Sequence, residues 1–507
     1  MTPFSAPGRK TLQWYKYALL CMAPFSMMLI ACDIQSISAA SADKRVQEAG
    51  ESPRWGTSKT PFAVDSPWNS RPVEPVLAKT IIPPSKYAPA IMTNGWSTGV
   101  FVSKDADPPV TVRGHAGSQG LWNPDAHAFQ DVTLPHWPSD VKPASKSDGH
   151  ADIIDPAQGI IHSFYQLRHE GGGWVASQYA WSSLNGRGWG DPAHYFQGSR
   201  ATGVPAMAGL ILKHEVNDGA PMYRHALAMS LTTNALSPDP AYIFPATSAD
   251  KEARRINFGK IPEGALMMLP ASFDTSRLSD ARVRKIAETL KTYGAYVVDR
   301  NDGTPFVIYA EQGSELDLHN KFWNIKAIAD LEQIRLSLRQ AVSAKKWLDG
   351  QGRSYTPVKD LNLMSMRGPW NLAQGNAAGV FDSRSQSVLF PETPARTVQV
   401  KHLPPSITNV AWATPVSGSS YLLTAAAAGG AKLRLKIIEA ATEKPLIDSG
   451  ELGNGETFRF AWPAQKVNAA LYAISGTAQA SRISADLRRD GEHAMNASVP
   501  AAQAGTR

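Results

Sequence analysis

The chain has 507 residues, a formal net charge of +7 and 43% hydrophobic residues, so it is long enough to bury one large core or two medium ones. Its two cysteines, Cys21 and Cys32, both lie near the N-terminus, which excludes disulfides, cysteine-ligated metals and a cysteine nucleophile from the rest. Without Arg9, Lys10 and Lys16 the charge falls from +7 to +4. No basic run interleaved with aromatics is present, so we predict no nucleic-acid partner.

The first 32 residues join a basic start to a short apolar run. The run from Tyr17 to Ile30 is shorter than the roughly 20 residues that span a bilayer, and it ends in Leu29-Ile30-Ala31-Cys32. This segment resembles a bacterial lipoprotein signal peptide. The resemblance implies that residues 1–31 are removed and that acylated Cys32 anchors the chain in a lipid bilayer, facing the periplasm from the inner membrane or lying in the outer membrane. Ordinary secretory cleavage near Ala40 is the alternative.

Residues 32–60 have little apolar periodicity and are predicted to form a flexible tether. From Pro61 to 393, short apolar segments recur between Pro, Gly, Asn and Asp, as in Gly99-Val100-Phe101-Val102. This spacing predicts a mainly β fold, a large β-sandwich or jelly-roll-like domain with a few helices.

Two helices are predicted within that domain. Ser279 and Asp280 begin a helix over 279–293 that Gly294 can end, and strands at 295–298 and 306–309 follow as a strand-turn-strand unit. A second helix is predicted near 325–348. Alternating apolar residues then predict a small β-sandwich over 394–487, followed by a disordered tail at 488–507.

Aromatic residues are concentrated between Phe164 and Phe196, where eight occur although 9% usage predicts about three. Flat apolar faces beside polar groups suit sugar rings, whereas core packing is the alternative explanation. The predicted substrate-binding residues are Trp174, Tyr179, Trp181, Trp189, Tyr195 and Arg200.

The region from about 61 to 313 resembles a group of large secreted bacterial proteins that lack an established activity. The resemblance implies a similar architecture and export more than it implies a function. Arg200 departs from the group, which is expected to have an acidic residue there. The matching segments are Ser66-Pro67-Trp68-Asn69, His150 to Pro156, Ile160 to Gln166, Ala201 to Pro205, Glu215-Val216, Arg224 to Leu227 and Tyr293-Gly294 through Asp299.

Two chemistries are open for the ionisable residues. Glycoside hydrolysis needs two carboxylates, and Glu215 with Asp152 is the first pair, with Asp299 and Glu311 as substitutes. Elimination from a polyuronate needs a base and a positive group, for which His225 with Tyr179 and either Arg224 or Arg200 would serve. The other histidines, singly expected to be structural, are His150, His162, His194 and His214.

Motifs of other enzyme classes are missing from the sequence: it has neither His-Glu-x-x-His nor Gly-x-Ser-x-Gly, and we predict no cofactor and no metal. His150-x-Asp152 alone would supply two of the ligands a metal site needs. We therefore expect a membrane-anchored envelope lipoprotein that acts on a polysaccharide by hydrolysis or elimination. The alternative is a non-catalytic carbohydrate-binding or envelope-assembly lipoprotein.

Overall fold

A computed structural model describes residues 55–316, 318, 324–359, 362–364, 366–367, 370–403 and 415–490, all within one compact unit, Pro53–Arg507. The predicted signal peptide, Cys32, most of the tether and most of the tail lie outside the described residues. No helix in the described part is long and apolar enough to cross a membrane.

The fold is mainly β, as predicted from the spacing of the apolar segments. The helices are α1 (Ala253–Ile256), α2 (Ala281–Thr292) and α3 (Ile325–Ser337), with 3-10 turns at Lys213–Glu215 and Thr275–Arg277. The strands of the main body are Arg71–Leu77 (β1), Ala90–Met92 (β2), Gly99–Val102 (β3), Val110–Arg113 (β4), Trp122–Asn123 (β5), Ala128–Phe129 (β6), Val132–Leu134 (β7), Ala151–Asp155 (β8), Ile160–Tyr165 (β9), Arg168–Glu170 (β10), Gly173–Val175 (β11), Gln178–Ser183 (β12), Leu227–Thr232 (β13), Leu266–Met268 (β14), Ala295–Asn301 (β15), Phe306–Tyr309 (β16), Arg339–Leu348 (β17) and Ser354–Tyr355 (β18).

A second group of strands forms the C-terminal part. They are Asn371–Gln374 (β19), Val380–Asp382 (β20), Ser387–Phe390 (β21), Val398–Leu403 (β22), Ser420–Ala428 (β23), Lys432–Glu439 (β24), Pro445–Asp448 (β25), Thr457–Ala461 (β26), Val467–Ile474 (β27) and Ser481–Arg489 (β28).

The main body is built in layers around an eight-stranded sheet of order β1-β17-β14-β15-β13-β16-β2, with β18 paired to β17. On one face, residues such as Val297 and Met229 pack with α2 and α3. On the other face, residues such as Tyr296 and Val298 pack toward a six-stranded sheet of order β3-β8-β9-β12-β5-β6. The far side of that sheet covers a four-stranded sheet of order β10-β11-β4-β7.

The prediction of helix α2 is confirmed. The Asp280 side chain accepts a hydrogen bond from the Arg282 N–H, and Gly294 adopts φ +76° just after the helix. Both features follow from ordinary capping, in which a side-chain oxygen satisfies a free N–H and glycine takes the left-handed conformation.

The second predicted helix is too long. Helix α3 ends at Ser337, Leu338 is extended, and Arg339–Leu348 forms β17 between β1 and β14. Pairing with two neighbouring strands outweighs the local helical pattern, because tertiary contacts routinely override propensity.

The predicted unit of two successive strands is also rearranged. Strands β15 and β16 form as expected, but β13 lies between them, parallel to β15 and antiparallel to β16. The turn at Asp302 therefore crosses over β13, which comes from about 60 residues earlier in the chain. Local sequence does not specify that β13 pairs with both strands.

The C-terminal part is a sandwich of two five-stranded sheets, β19-β22-β27-β24-β25 and β20-β21-β28-β23-β26. Its core includes the predicted inward residues Leu433, Leu435 and Ile437, all fully buried. Pairing begins at Asn371 and ends at Arg489, so this part extends beyond 394–487 at both ends.

Ordered structure begins before Pro61. The Gly56 N–H donates to the Phe62 carbonyl at 3.0 Å, and the Phe62 N–H donates to Leu184 at 2.7 Å. The Phe62 side chain is buried. Residues 55–60 are therefore part of the folded body rather than of the tether.

Candidate functional site

A cleft of about 530 Å³ lies where the six-stranded and four-stranded sheets meet the C-terminal part. This volume falls within the range of pockets that hold small ligands. Its lining includes Asn123, Thr133, Gln158, Tyr179, Trp181 and Arg384.

Two predicted aromatic residues lie at the floor of the cleft. Tyr179 and Trp181 are two positions apart on β12 and so project from the same face. The Tyr179 hydroxyl is 2.9 Å from His162 Nδ1, and the Trp181 ring packs on His194 with 4.3 Å between centroids. Only 9% of Trp181 and 4% of Tyr179 is exposed, so the floor is nearly closed.

Buried N–H groups at this floor are left without a partner. Asn123 Oδ1 accepts from the backbone N–H groups of Asp125 and Ala126 at 3.0 Å, which fixes the amide orientation. Within the described residues, neither Asn123 Nδ2 nor Trp181 Nε1 has a hydrogen-bond partner. A buried donor in this state costs about 1–3 kcal/mol, so both atoms mark a place where an acceptor would be stabilising.

His162 is neutral at the floor. Burial, with the nearby Arg384 charge, lowers the pKa of His162 to about 3. Its Nδ1 faces the Tyr179 hydroxyl, while Nε2 has no partner among the described residues. The neutral ring therefore presents one further unsatisfied nitrogen next to the cleft.

One wall of the cleft comes from the turn between β20 and β21 of the C-terminal part. Arg384 Nη2 donates to Gln158 Oε1 at 2.9 Å, and Gln386 Nε2 donates to Asp125 Oδ2 at 2.6 Å. These two hydrogen bonds hold the turn against the main body. Sequence reasoning missed Asn123, Gln158 and Arg384, because nothing local connects positions more than 200 residues apart.

The remaining predicted aromatics are in packed positions. Trp189 is fully buried, stacks on Trp68 at 5.5 Å and donates to the Thr202 carbonyl. Tyr195 is 7% exposed and packs edge-on against Phe196. Half-buried Trp174 packs against Trp137 at 4.9 Å. Most of the aromatic cluster therefore serves the core.

A second polar group, the Arg200 centre, lies between the six-stranded and eight-stranded sheets. Arg200 Nη1 donates to Asp299 Oδ2 at 3.0 Å, Nη2 donates to the Ala206 carbonyl, and the guanidinium lies 4.3 Å from the centre of the Tyr309 ring. Only 3% of Arg200 is exposed, and its Nε has no partner among the described residues.

A β-bulge turns Asp299 toward this centre. Met229 pairs with Val297 and Ser230 pairs with Asp299, so Val298 is the extra residue. Strict alternation would put Asp299 on the face of Val297, which packs against the helices. The bulge puts it on the face of Val298 instead, and bulges often re-aim side chains in this way.

Asp152 and His150 belong to the same region. Asp152 accepts from Ser163 Oγ at 2.6 Å and from the Met207 N–H at 2.7 Å. Ser163 Oγ lies 2.8 Å from Ser199 Oγ, which lies 3.3 Å from His150 Nδ1. Burial raises the pKa of Asp152 to about 6 and lowers that of His150 to about 3. Both groups are fully enclosed by these contacts.

Two further carboxyls, Glu263 and Asp250, extend the Arg200 centre, and neither was singled out in the sequence analysis. Glu263 is fully buried, and its Oε2 accepts from the Asp250 N–H at 3.2 Å. Gly264 follows at φ +86°, and a Cβ there would lie 2.0 Å from the Ile243 carbonyl oxygen. The glycine thus lets this segment lie close against its neighbour and fixes Glu263.

Glu215, His225 and Glu311 lie around the 3-10 turn at Lys213. His225 Nε2 is 3.2 Å from Glu215 Oε2, and Glu215 also accepts from the Leu212 N–H. Glu311 accepts from the Lys213 N–H at 2.9 Å and pairs with the Lys213 ammonium. These carboxylates hold successive backbone amides.

The structure therefore divides the predicted catalytic residues. It brings Asp152, Arg200 and Asp299 together, and it pairs Glu215 with His225. It places Asp152 and Glu215, the first hydrolytic pair, in different networks. The lyase set is likewise separated, because Tyr179 contacts His162 and His225 contacts Glu215. In the described residues, no group of three or more His, Cys, Asp or Glu is arranged to hold a metal ion.

Comparisons with known proteins give no family for this chain. No family model matches, and no curated protein matches. Solved structures with local similarity include the glycosylation-associated protein complex of Streptococcus agalactiae (11% identity, 24% of this chain and 45% of that chain, TM-score 0.16). Another is the structure of accessory secretory proteins 1, 2 and 3 of Streptococcus pneumoniae (10% identity, 27% of this chain and 99% of that chain, TM-score 0.18). A third is the C-terminal family 22 carbohydrate-binding module of Clostridium thermocellum Xyn10B (16% identity, 26% of this chain and 92% of that chain, TM-score 0.17). At these TM-scores we base no conclusion on the similarity.

Proposed function

We propose that this protein binds a polysaccharide in the cleft formed by Tyr179, Trp181 and the Arg384 turn. The observation that carries the proposal is a pair of buried donors, Asn123 Nδ2 and Trp181 Nε1, that have no partner among the described residues and lie in a cleft lined by the Tyr179 and Trp181 rings. Sugars present hydroxyl acceptors and apolar C–H faces side by side, so they match a surface that combines N–H donors with aromatic rings.

Binding requires the cleft to widen, since both donors are buried. We infer that the turn carrying Arg384 is the wall that moves. Two side-chain hydrogen bonds, Arg384 to Gln158 and Gln386 to Asp125, join this turn to the main body within the described part of the chain. A sugar residue seated under this turn would recover the hydrogen bonds that Asn123 and Trp181 lack.

We also propose that the protein is held at the cell envelope by acylated Cys32, as its signal-like N-terminus implies. Two or more acyl chains give stable membrane attachment. Cys32→Ser should abolish incorporation of labelled palmitate and release the protein from the membrane fraction, whereas Cys21→Ser should do neither. Retention and labelling of the Cys32→Ser variant would contradict the anchor.

The cleft is tested with the full chain, purified in detergent, by affinity electrophoresis through gels that contain neutral or acidic polysaccharides. We expect retardation by at least one polymer. Thr133→Trp, which fills the cleft from an exposed strand position, should weaken retardation at least tenfold. The matched control is Thr457→Trp on β26, an exposed strand position of the C-terminal part.

Two further variants probe the recognition itself. Trp181→Phe keeps an aromatic ring but removes the Nε1 donor, and Arg384→Gln removes the charge at the wall; each should weaken binding by threefold or more. Arg459→Gln, an exposed arginine on the outer strand β26, is the control. Equal binding by Thr133→Trp and the unmodified chain would reject the cleft as the site.

A further inference from the structure

We propose that the floor of the cleft holds the acetamido group of an N-acetylated amino sugar. Such sugars would be the substrate class of the cleft, and their recognition rests on the binding function proposed above. Three features support this assignment: the place of the buried donors in the sheet, the kind of group that those donors require, and the charges of the wall.

The register of the six-stranded sheet brings the floor residues together. Strand β5 lies next to β12, and Trp122 pairs with Gln178 in their parallel ladder. Asn123 therefore lies beside Tyr179, and Trp181 lies two positions further along β12 on the same face. Neighbouring strands are about 4.8 Å apart, and alternate residues of one strand are about 6.7 Å apart. The donors of the floor thus occupy a patch comparable in size with one sugar ring.

Both donors of the floor are held in place before a ligand arrives. Asn123 Oδ1 accepts from the N–H groups of Asp125 and Ala126, so the amide cannot turn over and Nδ2 stays a donor. The Trp181 ring packs on His194, and an indole N–H can only donate. Neither donor has a partner among the described residues. Two fixed donors require a group that accepts twice.

An acetamido carbonyl meets this requirement. Its oxygen has two lone pairs and carries no hydrogen, so it can accept from Asn123 Nδ2 and Trp181 Nε1 together. A hydroxyl would bring a donor of its own, which would need an acceptor beside these two donors. The acetyl methyl group is apolar and can pack against the Tyr179 ring that lines the same cleft.

Acceptors are available at the rim of the cleft. Thr133 and Gln130 are exposed residues of its lining, and the side chain of each carries an oxygen that can accept a hydrogen bond. Because a secondary amide is trans, its N–H points away from its C=O. When the carbonyl faces the floor, the acetamido N–H and the sugar hydroxyls therefore face the rim, where these acceptors lie.

The charges of the wall favour a neutral sugar over a uronate. The described residues that line the cleft include two carboxylates, Asp131 and Asp382, and one guanidinium, Arg384. Arg384 donates to the neutral Gln158, and Asp382 accepts from the N–H and the hydroxyl of Ser385 within the turn. The floor itself consists of neutral side chains. A carboxylate brought there would lose its hydration without gaining a paired cation, which is costly, whereas an acetamido group carries no charge.

The test compares one polymer with and without its acetyl groups. The full chain, in detergent, is run through gels that contain glycol chitin (a soluble polymer of N-acetylglucosamine), the same polymer after de-N-acetylation, or that product after re-N-acetylation. Salt at about 0.3 M screens the attraction between free amines and the wall carboxylates. We expect retardation by glycol chitin, at least tenfold weaker binding after acetyl removal because buried hydrogen bonds are lost, and recovery after re-N-acetylation. Free N-acetylglucosamine should compete, whereas glucose should not.

Asn123→Asp separates recognition from folding. The variant keeps an oxygen for the N–H groups of Asp125 and Ala126 but replaces the Nδ2 donor with an acceptor. We expect at least tenfold weaker binding of glycol chitin. Binding of the de-N-acetylated polymer should become about threefold tighter or more, because its amino group can donate to the new carboxylate. Asn371→Asp, on the exposed strand β19, is the matched control and should change neither.

The outcomes separate this assignment from the cleft itself. Retardation by other polymers that Thr133→Trp weakens, without a preference for the acetylated polymer, would overturn the acetamido site and leave the cleft as the binding site. Equal binding of glycol chitin by Asn123→Asp and the unmodified chain would also overturn the site, and Trp181→Phe gives the same test at the second donor. Retardation by no polymer, or retardation that Thr133→Trp does not weaken, would overturn the binding function and the acetamido site together.

Discussion

Arg200 and Asp299 form an ion pair, 3.0 Å between Nη1 and Oδ2, that ties the loop between two sheets to the eight-stranded sheet. Arg200 is nearly enclosed, and the face of Tyr309 covers its guanidinium. Burial raises the pKa values of Asp299 and Asp152, and the Arg200 charge opposes that rise at both carboxyls.

Replacing Arg200 with Met should destabilise the protein by about 3–5 kcal/mol at pH 8, because a buried charge is left unpaired. The loss should be smaller at pH 5.5. Without Arg200 the pKa of Asp299 rises further above about 7, so Asp299 is neutral at the lower pH and costs less to bury. Urea unfolding at the two pH values measures the difference. A loss that is the same at both values would contradict the assigned coupling.

Replacing Asp152 with Asn should change the pH dependence of stability. Since burial raises the folded-state pKa from 3.8 to about 6, the unmodified protein binds the proton more tightly when folded, and this contribution to stability is lost as pH rises through that window. At about 1.4 kcal/mol per pKa unit, the Asn variant should gain about 2 kcal/mol relative to the unmodified protein between pH 4 and pH 8. Parallel stability profiles from urea unfolding would rule this out.

Local sequence was sufficient where local interactions decide the structure. The Asp280 cap and Gly294 define α2 within a residue or two, and the alternation of Leu433, Leu435 and Ile437 predicts β24 with its buried face. Local sequence was insufficient where pairing with strands far away in the chain decides the structure. Whether 339–348 is helix or strand depends on β1 and β14, which lie far away in the chain.

The candidate sites show the same limit. The local enrichment in aromatic residues predicted Tyr179 and Trp181 as binding residues, but the cleft also needs Arg384 from the C-terminal part. Asp299 was predicted from its residue type, whereas its orientation depends on the bulge at Val298. Glu263 gave no signal, since a single glutamate between Pro and Gly is ordinary in a turn.

Asp330 should prove to be a structural carboxylate that joins α3 to the start of α2. Its Oδ2 accepts from the Ser279 N–H at 2.8 Å, the Ser279 hydroxyl at 2.9 Å and the Asp280 N–H at 3.0 Å. Asp330→Ala leaves these donors without their acceptor, so we expect a loss of about 3 kcal/mol in the free energy of unfolding. Asp330→Asn keeps an oxygen and should lose about 1 kcal/mol. An equal loss for both would mean that the negative charge of the carboxylate, and not an acceptor oxygen at this position, holds the three donors.

Gly209 should tolerate no side chain, because it lies against the core beneath Trp68. A Cβ there would lie 2.4 Å from the Trp68 ring and 2.7 Å from the Ala228 nitrogen, at a φ of +70°. The matched control is Gly219, which has φ +74° but no atom within 4 Å of the added Cβ. Gly219→Ala should therefore lose only the backbone strain of about 1 kcal/mol. Gly209→Ala should lose at least 3 kcal/mol in the free energy of unfolding, since the clash displaces packed atoms. Urea unfolding measures both losses. If the two losses differ by less than about 1 kcal/mol, the core at Gly209 rearranges to accept the added methyl group.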